Sequence, residues 1–357
     1  MISFLLASLP LFVANDPSSL DGLRTEFVPA DARLVLHFDV QGLQHTQLWK
    51  AMSAPGGPLD ELQSEELQLF KTQFGIDPLT DLLSVTLWGS SEDLEPEAAV
   101  LTTTASIDQA LGLLRMQPGY RTETRDGVEI QFLTFDDDHD HDLDEDDDDE
   151  DGTRIAVEVG GESEEVAAYV HALASGQRAI VVAETPERVL RAAKVVRGES
   201  PSLANARGGA FQARPRPGSF FFGATVGGLP KTGDFQPASQ ILGLAQGIQF
   251  DLGEAGGSFF VHAAISTADP EFARKVREIA TGLVAMGQVM LAMHEEVPQG
   301  VRDLLSAIQV SQSDNLVEVD FQYATAGLVD LMRTLDELDE QEAREREARE
   351  QEVREDE

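Results

Sequence analysis

The sequence predicts an α+β fold of two tandem duplicated halves, each mainly an antiparallel sheet with helices packed on one face. Three observations support this prediction. Apolar residues alternate with a period of two in many short segments, which is typical of strands. Most of these segments are joined by short turns, as in antiparallel sheets. The same order of strand, helix and hairpin occurs twice along 357 residues, a length that suggests about two domains.

The composition excludes several classes of protein. The chain has 26 Lys and Arg against 64 Asp and Glu, so its net charge is −38. Nucleic acids and anionic membrane surfaces both bind basic patches, and we expect neither as a partner. The sequence contains no cysteine, which excludes disulfides, thiolate zinc sites and cysteine nucleophiles. The hydrophobic content of 42% is enough to form packed cores.

Residues 1–14 resemble a secretory leader. Residues 2–14 carry no charge and are mostly apolar, but the run is shorter than the roughly 20 residues that span a bilayer. We therefore expect an exported protein, periplasmic or secreted, whose mature chain begins near Asn15. The alternative is a buried first strand or short helix, since no basic residue precedes the run. No other apolar run approaches membrane length, so we expect no transmembrane helix.

The first half is predicted over residues 28–204. Hairpin signals and helix caps define its elements, most clearly Asp126-Gly127 at a type I′ turn and Thr185 before Pro186 at a helix start. The predicted strands cover residues 33–40, 83–89, 98–104, 121–125, 128–134, 155–159, 166–172 and 179–183. The predicted helices lie around residues 43–52, 59–74, 107–114 and 186–196. Residues 205–217, rich in Arg, Gly and Pro, are the predicted linker.

The second half is predicted over residues 218–340 and repeats the order of the first. Its strands are predicted at residues 220–226, 259–267, 308–313 and 316–323, with Asp314 at the hairpin turn in the place of Asp126. Asp269 and Pro270 begin a helix that ends near His294 and is apolar on more than one side. Helices of that kind are buried between layers, which is our expectation here. A last helix from Ala324 leads into a charged helical tail, residues 341–357.

Three short segments suggest a family resemblance. They are Val28-Pro29-Ala30-Asp31-Ala32-Arg33 before a strand, Phe74-Gly75-Ile76-Asp77-Pro78, and Glu184-Thr185-Pro186-Glu187 after a strand. Together they resemble exported bacterial proteins of a domain-of-unknown-function type from planctomycete-like genomes. The resemblance implies export and a scaffold of two α+β halves over most of residues 28–340. It implies no catalytic residues.

An acidic loop over residues 136–151 is inserted in the first half and contains the candidate metal ligands. It has 13 acids and no Lys or Arg. Asp147, Asp149, Asp151 and Glu158 follow the spacing of an EF-hand calcium loop, with Gly152 at its turn. However, a run so acidic matches such spacings by chance. The alternative is a solvated loop that binds cations weakly. In either case, Ca²⁺ is the only cofactor that the sequence suggests.

Candidate catalytic residues are few. His37 and Asp39 share one face of the first strand, where the carboxylate could orient a base, but Gly223 and Thr225 occupy these positions in the second half. His262 lies alone on its strand. We therefore predict an exported, non-enzymatic binding or scaffold protein whose partner is a protein or an envelope component. The alternatives are a hydrolase with a site between the halves and an extracytoplasmic calcium-binding protein.

Overall fold

The computed structural model describes residues 23–54, 65–92, 94–104, 106–135, 164–205, 214–227, 245–294, 297–335, 337–338 and 344. Twelve strands lie within these ranges. They are β1 (Leu34–Asp39), β2 (Leu82–Gly89), β3 (Ala98–Thr103), β4 (Arg121–Arg125), β5 (Val128–Phe135), β6 (Glu164–Ala172), β7 (Arg178–Ala183), β8 (Ser219–Val226), β9 (Ala245–Ala255), β10 (Ser258–Thr267), β11 (Ile308–Ser313) and β12 (Leu316–Ala324).

The strands form one antiparallel sheet in the order β11-β12-β10-β9-β8-β1-β2-β3-β7-β6-β5-β4. The second half runs outward from the centre as β8-β9-β10-β12-β11. The first half runs outward as β1-β2-β3-β7-β6-β5-β4, which is the same order with β7 and β6 inserted. The predicted α+β class with antiparallel strands and two matching halves is therefore confirmed.

The two halves join through their first strands. β1 pairs antiparallel with β8, so that Leu36 lies opposite Gly223 and His37 lies opposite Phe222. A Cβ at Gly223 would lie 3.1 Å from Cδ2 of Leu36, so glycine allows the close approach of the Leu36 side chain. Both halves thus share a single sheet, which no local sequence pattern indicates.

Eight α-helices lie within the described ranges. They are α1 (Val40–Gln44), α2 (Gln47–Met52), α3 (Glu65–Phe74), α4 (Asp108–Leu114), α5 (Pro186–Val196), α6 (Pro270–Met293), α7 (Gln299–Ser306) and α8 (residues 325–335). The leader, the acidic loop, the predicted strand at 155–159, most of the linker and almost all of the tail lie outside the described residues.

The main cores lie on opposite faces of the sheet. On one face, α5 buries Val189, Ala192 and Ala193 against the first half, where Trp88 and Phe132 are also buried. On the other face, α1 and α8 cover a cluster formed by Phe38, Leu43, Phe220, Phe259 and Leu328. Residues alternate between faces along a strand, which is why Val35 belongs to the first core and Phe38 to the second.

Candidate interaction surface

Helix α6 is anchored to the sheet by its first turns. The Asp269 carboxylate accepts hydrogen bonds from the backbone N–H groups of Glu271 (2.9 Å) and Phe272 (3.0 Å), as its predicted capping role requires. Ala273 and Val276 are buried against Ile265, Val310 and Val317 of the sheet. The start of the helix is therefore fixed by a cap and by a small apolar core.

The remainder of α6 lies in the open, so the expectation that this helix is buried between layers is wrong. Residues 279–293 include no charged residue. The exposed fractions are 40% for Ile279, 47% for Leu283, 56% for both Met286 and Met290, and 78% for Met293. The reason is length: a helix of 24 residues is about 36 Å long, whereas β11 beneath it has six residues and spans roughly 20 Å.

The exposed apolar side chains follow a regular spacing. Their successive separations are four, three, four and three residues, which is the spacing of a heptad seam. We call the set Ile279, Leu283, Met286, Met290 and Met293 the α6 seam. Val289, 61% exposed, lies beside it. A seam with this spacing normally packs against another helix, and no described helix covers it.

A second face of α6 packs against α7 and holds the helix in place. A Cβ at Gly287 would lie 3.0 Å from Cδ2 of Leu305, so the two helices approach closely there. The Gln288 side chain donates a hydrogen bond of 3.5 Å to the Leu305 carbonyl oxygen. The α6 seam is thus presented by a helix that is supported at its first turns and along one side.

Helix α6 also has the length of a membrane span and a suitable mean hydropathy, 1.3 over a stretch of 18 residues. Only 6% of that stretch is buried. It is therefore an exception to the expectation that no run after the leader approaches membrane length. A single helix of this kind is weak evidence for a membrane span. The described residues contain no bundle of such helices.

The predicted metal ligands Asp147, Asp149, Asp151 and Glu158 lie outside the described residues. Within the part of the chain that the structure describes, no three His, Asp or Glu side chains are grouped to hold a metal ion. The calcium loop therefore stays a prediction from the sequence.

The structure gives His37 and Asp39 separate partners. His37 is 3% exposed, and its Nδ1 lies 2.9 Å from Oγ1 of Thr86. Burial lowers the pKa of His37 to about 3, so the imidazole is neutral at ordinary pH. The Asp39 carboxylate instead accepts the Gly42 N–H at 2.7 Å and caps α1. Burial raises the pKa of this carboxyl group.

His262 belongs to a polar network that sequence reasoning missed. Its Nδ1 lies 3.1 Å from Oδ1 of Asp320, and that oxygen also accepts a hydrogen bond of 2.6 Å from Arg216. The fully buried Asp251 accepts hydrogen bonds from the Arg216 backbone N–H and the Ser219 hydroxyl, both at 3.1 Å. These contacts fasten the end of the linker to the second half, which is a structural role.

Comparisons with known proteins identify no family. No family model and no curated protein matches the chain. Three crystal forms of the treponemal protein TP0453 resemble it in structure. Form III has a TM-score of 0.42 and 8% identity, covering 89% of this chain and 99% of that one. Form I has a TM-score of 0.36 and 10% identity, covering 90% of this chain and 98% of that one. Form IV has a TM-score of 0.37 and 10% identity, covering 88% of this chain and 97% of that one. Likeness of this degree identifies no function, and the planctomycete-like resemblance stays a prediction.

Proposed function

We propose that this chain is an exported, non-enzymatic binding or scaffold protein that docks an amphipathic helix of another protein on the α6 seam. One observation carries the proposal. Five large apolar side chains at heptad spacing are exposed on a helix that α7 and the sheet hold in place. Large exposed apolar patches on soluble proteins mark interaction sites, and a heptad seam is complementary to a second helix.

The composition of the seam favours a protein helix over a lipid surface. Helices that lie in a membrane interface carry Lys and Arg on their polar face and bind anionic lipids. Residues 279–293 contain neither Lys nor Arg, and the chain as a whole carries a net charge of −38. Three of the five seam residues are methionines, whose unbranched side chains adapt to partners of different shape.

The chain's own tail does not complement the seam. Residues 341–357 contain no Leu, Ile, Met or Phe, so a helix formed there would have no matching apolar stripe. We therefore propose a partner from outside the chain, and not this tail, as the occupant. Burying one seam side chain contributes roughly 1.5–3 kcal/mol. Association costs offset much of the total, so we expect an affinity on the order of micromolar.

The hydrolase alternative has less support. The described junction between the halves is the β1–β8 ladder, and Phe38, Phe220 and Phe221 pack beside it. His37 is buried within this ladder, and its Nδ1 lies 2.9 Å from Oγ1 of Thr86. The calcium-binding alternative rests on sequence spacing alone.

Export is supported by the apolar run at residues 2–14. Intact-mass measurement of the protein from its native host tests this part of the proposal. We expect a chain that begins near Asn15. A cytoplasmic protein that retains residues 1–14 would contradict it.

The docking proposal is tested with a synthetic helical peptide that carries a two-heptad Leu/Ile seam. The labelled peptide is titrated into the full chain by fluorescence anisotropy. Leu283→Glu with Met290→Glu should weaken binding by about tenfold or more, because each Glu would be buried at the seam. Ala285→Glu with Ala292→Glu is the matched control, since both sites are exposed, lie off the seam and have the same spacing.

The control pair should change the affinity less than about twofold. Equal losses from both pairs would show that charge, and not the seam, governs binding. If neutral phosphatidylcholine vesicles bind in a seam-dependent manner and the peptide does not, the occupant is a lipid surface and the proposal is wrong.

A further inference from the structure

The two outermost strands of the described sheet, β4 and β11, are equivalent elements of the two halves. Each is the first strand of a hairpin that follows a helix, and each has one described neighbour, β5 or β12. An outer strand presents unpaired backbone N–H and C=O groups and can pair with another strand. The two outer strands can therefore be compared directly for the way in which each is protected.

Strand β4 is protected by charge. Three of its five residues are charged, in the order Arg-Thr-Glu-Thr-Arg. Arg121 forms an ion pair with Glu165 at 2.8 Å, and Arg125 forms ion pairs with Glu123 at 2.7 Å and Glu187 at 2.6 Å. Charged side chains on an edge strand oppose the approach of a second strand.

Strand β11 has no such protection. Its sequence, Ile-Gln-Val-Ser-Gln-Ser, contains no charged residue and no proline. Gln309, Ser311 and Ser313 are exposed, while Ile308 and Val310 are half-buried on the face that α6 covers. In a chain with 64 acidic residues, an outer strand of six residues without charge is a specific feature of the second half.

We propose that β11 pairs antiparallel with β11 of a second copy of this chain, which joins two 12-stranded sheets into one. Antiparallel pairing of a strand with itself follows from a two-fold axis, the usual symmetry of homodimers. The pairing brings only uncharged side chains together, so it avoids the repulsion of like charges on facing strands. This inference goes beyond the proposed function and does not depend on it.

The acidic loop, which carries 13 of the acids, does not oppose this contact, because it is attached at the other end of the sheet. The acidic loop connects β5 and β6, which lie nine and ten strand spacings from β11. At about 4.8 Å per spacing this is roughly 45 Å. The Debye length at physiological ionic strength is about 8 Å, so repulsion over that distance is screened.

The contact between the two β11 strands would be weak. A pair of six-residue strands buries less than the roughly 800 Å² per partner of a stable interface, so we expect a dissociation constant on the order of tens of micromolar.

A two-fold axis through the β11 pair places both copies of α6 on the same face of the joined sheet. Two seams on one face would raise the avidity for a partner that displays several helices.

The proposal is tested by sedimentation velocity of the full chain between about 5 and 200 μM. This range brackets the expected dissociation constant. We expect a concentration-dependent dimer. Gln309→Lys with Ser311→Lys, both at exposed positions of β11, should leave a monomer throughout. The matched control is Thr122→Lys with Thr124→Lys at exposed positions of β4, which should retain the dimer. Circular dichroism checks that each variant is folded.

Two results would overturn the proposal. One is a wild-type chain that stays monomeric at the highest concentration. The other is a dimer that survives the β11 lysines but is lost with Leu283→Glu and Met290→Glu, because the second copy would then dock on the α6 seam. Loss of the dimer with the β11 pair alone supports strand pairing.

Discussion

Asp126 and Asp314 adopt the same left-handed backbone conformation, with φ of 50° and 49°, at the first position of matching hairpin turns. In the first hairpin Arg125 lies opposite Val128, and in the second Ser313 lies opposite Leu316, so both turns have two residues. Non-glycine residues seldom adopt this conformation, although Asp tolerates it better than most. The likeness between the two halves therefore extends from strand order to the backbone of a single turn residue.

The backbone at Asp314 gives the first stability prediction. Asp314→Gly should stabilise the protein slightly, because glycine adopts positive φ without steric cost. Asp314→Val should lower the free energy of unfolding by about 1–2 kcal/mol, since a β-branched side chain is strained there. Urea denaturation measures both. Asp314 is the cleaner site, because Asp126 also pairs with Lys194 at 2.7 Å. Equal stabilities for the two variants would contradict the argument.

Local signals predicted local structure well. Helix α5 begins at Pro186 and ends at Val196, as the sequence analysis predicts, because Thr185 caps it and Gly198 follows it with φ of 72°. Each of these signals acts within one turn of the helix end. Each predicted strand that falls in the described residues lies within two residues of an observed one, because alternation of apolar residues is also a local property. Strand β9 (Ala245–Ala255) is the exception in the other direction, since no range was predicted for it.

Long-range arrangement was not predictable in the same way. Nothing in the sequence of β1 or β8 specifies that Leu36 lies opposite Gly223, since partner choice depends on the whole sheet. The burial of α6 was predicted wrongly for a related reason. An apolar stripe such as Leu283, Met286 and Met290 indicates that a helix has a partner, but not whether that partner belongs to the same chain. The candidate site was thus visible as a pattern and misread as core.

Burial of His37 predicts a specific pH dependence. Its pKa is lowered by burial from 6.5 to about 3, so the unfolded chain takes up a proton between these values that the folded chain does not. The contribution of His37 to the free energy of unfolding is therefore fully present above pH 6.5. It falls as the pH decreases toward 3, by up to about 1.4 kcal/mol per pH unit. Denaturant unfolding at pH 7 and pH 5 measures this loss.

His37→Gln should reduce the difference in stability between the two pH values. The matched control is His294→Gln, which removes an exposed histidine at the end of α6. Asp39 acts in the opposite direction, because burial raises the pKa of its carboxyl group and protonation then favours the folded state. The comparison of variants cancels this contribution. An identical pH dependence in His37→Gln and the wild type would contradict the assignment.

Arg191 links α5 to the loops around β1 and β2. Its guanidinium donates hydrogen bonds to Glu97 (2.6 Å), Asp31 (2.8 Å) and the Ser90 hydroxyl (2.8 Å), and it lies 5.4 Å from the centre of the Trp88 ring. A lysine cannot reproduce this planar set of bonds. The Arg191 side chain is 36% exposed, so solvent screening limits the loss for Arg191→Lys to about 1–2 kcal/mol.

The matched control for Arg191 is Arg274→Lys on α6. Arg274 pairs with Glu278 one turn along the helix, at 2.7 Å, and both side chains are about half exposed. Such a pair contributes roughly 0.2–0.5 kcal/mol, so thermal denaturation should show little change. Similar losses in the two variants would mean that Arg191 is an ordinary surface residue.

The acidic loop gives a prediction that rests on the sequence alone. Thirteen carboxylates in residues 136–151 repel one another, and divalent cations relieve that repulsion at low affinity. We expect calorimetric titration with Ca²⁺ to show several weak sites that are lost at high salt. Glu158→Gln should leave this isotherm unchanged, because Glu158 lies outside the run and adds little to its charge. In a true EF-hand loop, Glu158 would supply the bidentate ligand. Loss of one tight site in Glu158→Gln, together with the same loss in Asp147→Asn, would establish a calcium loop instead.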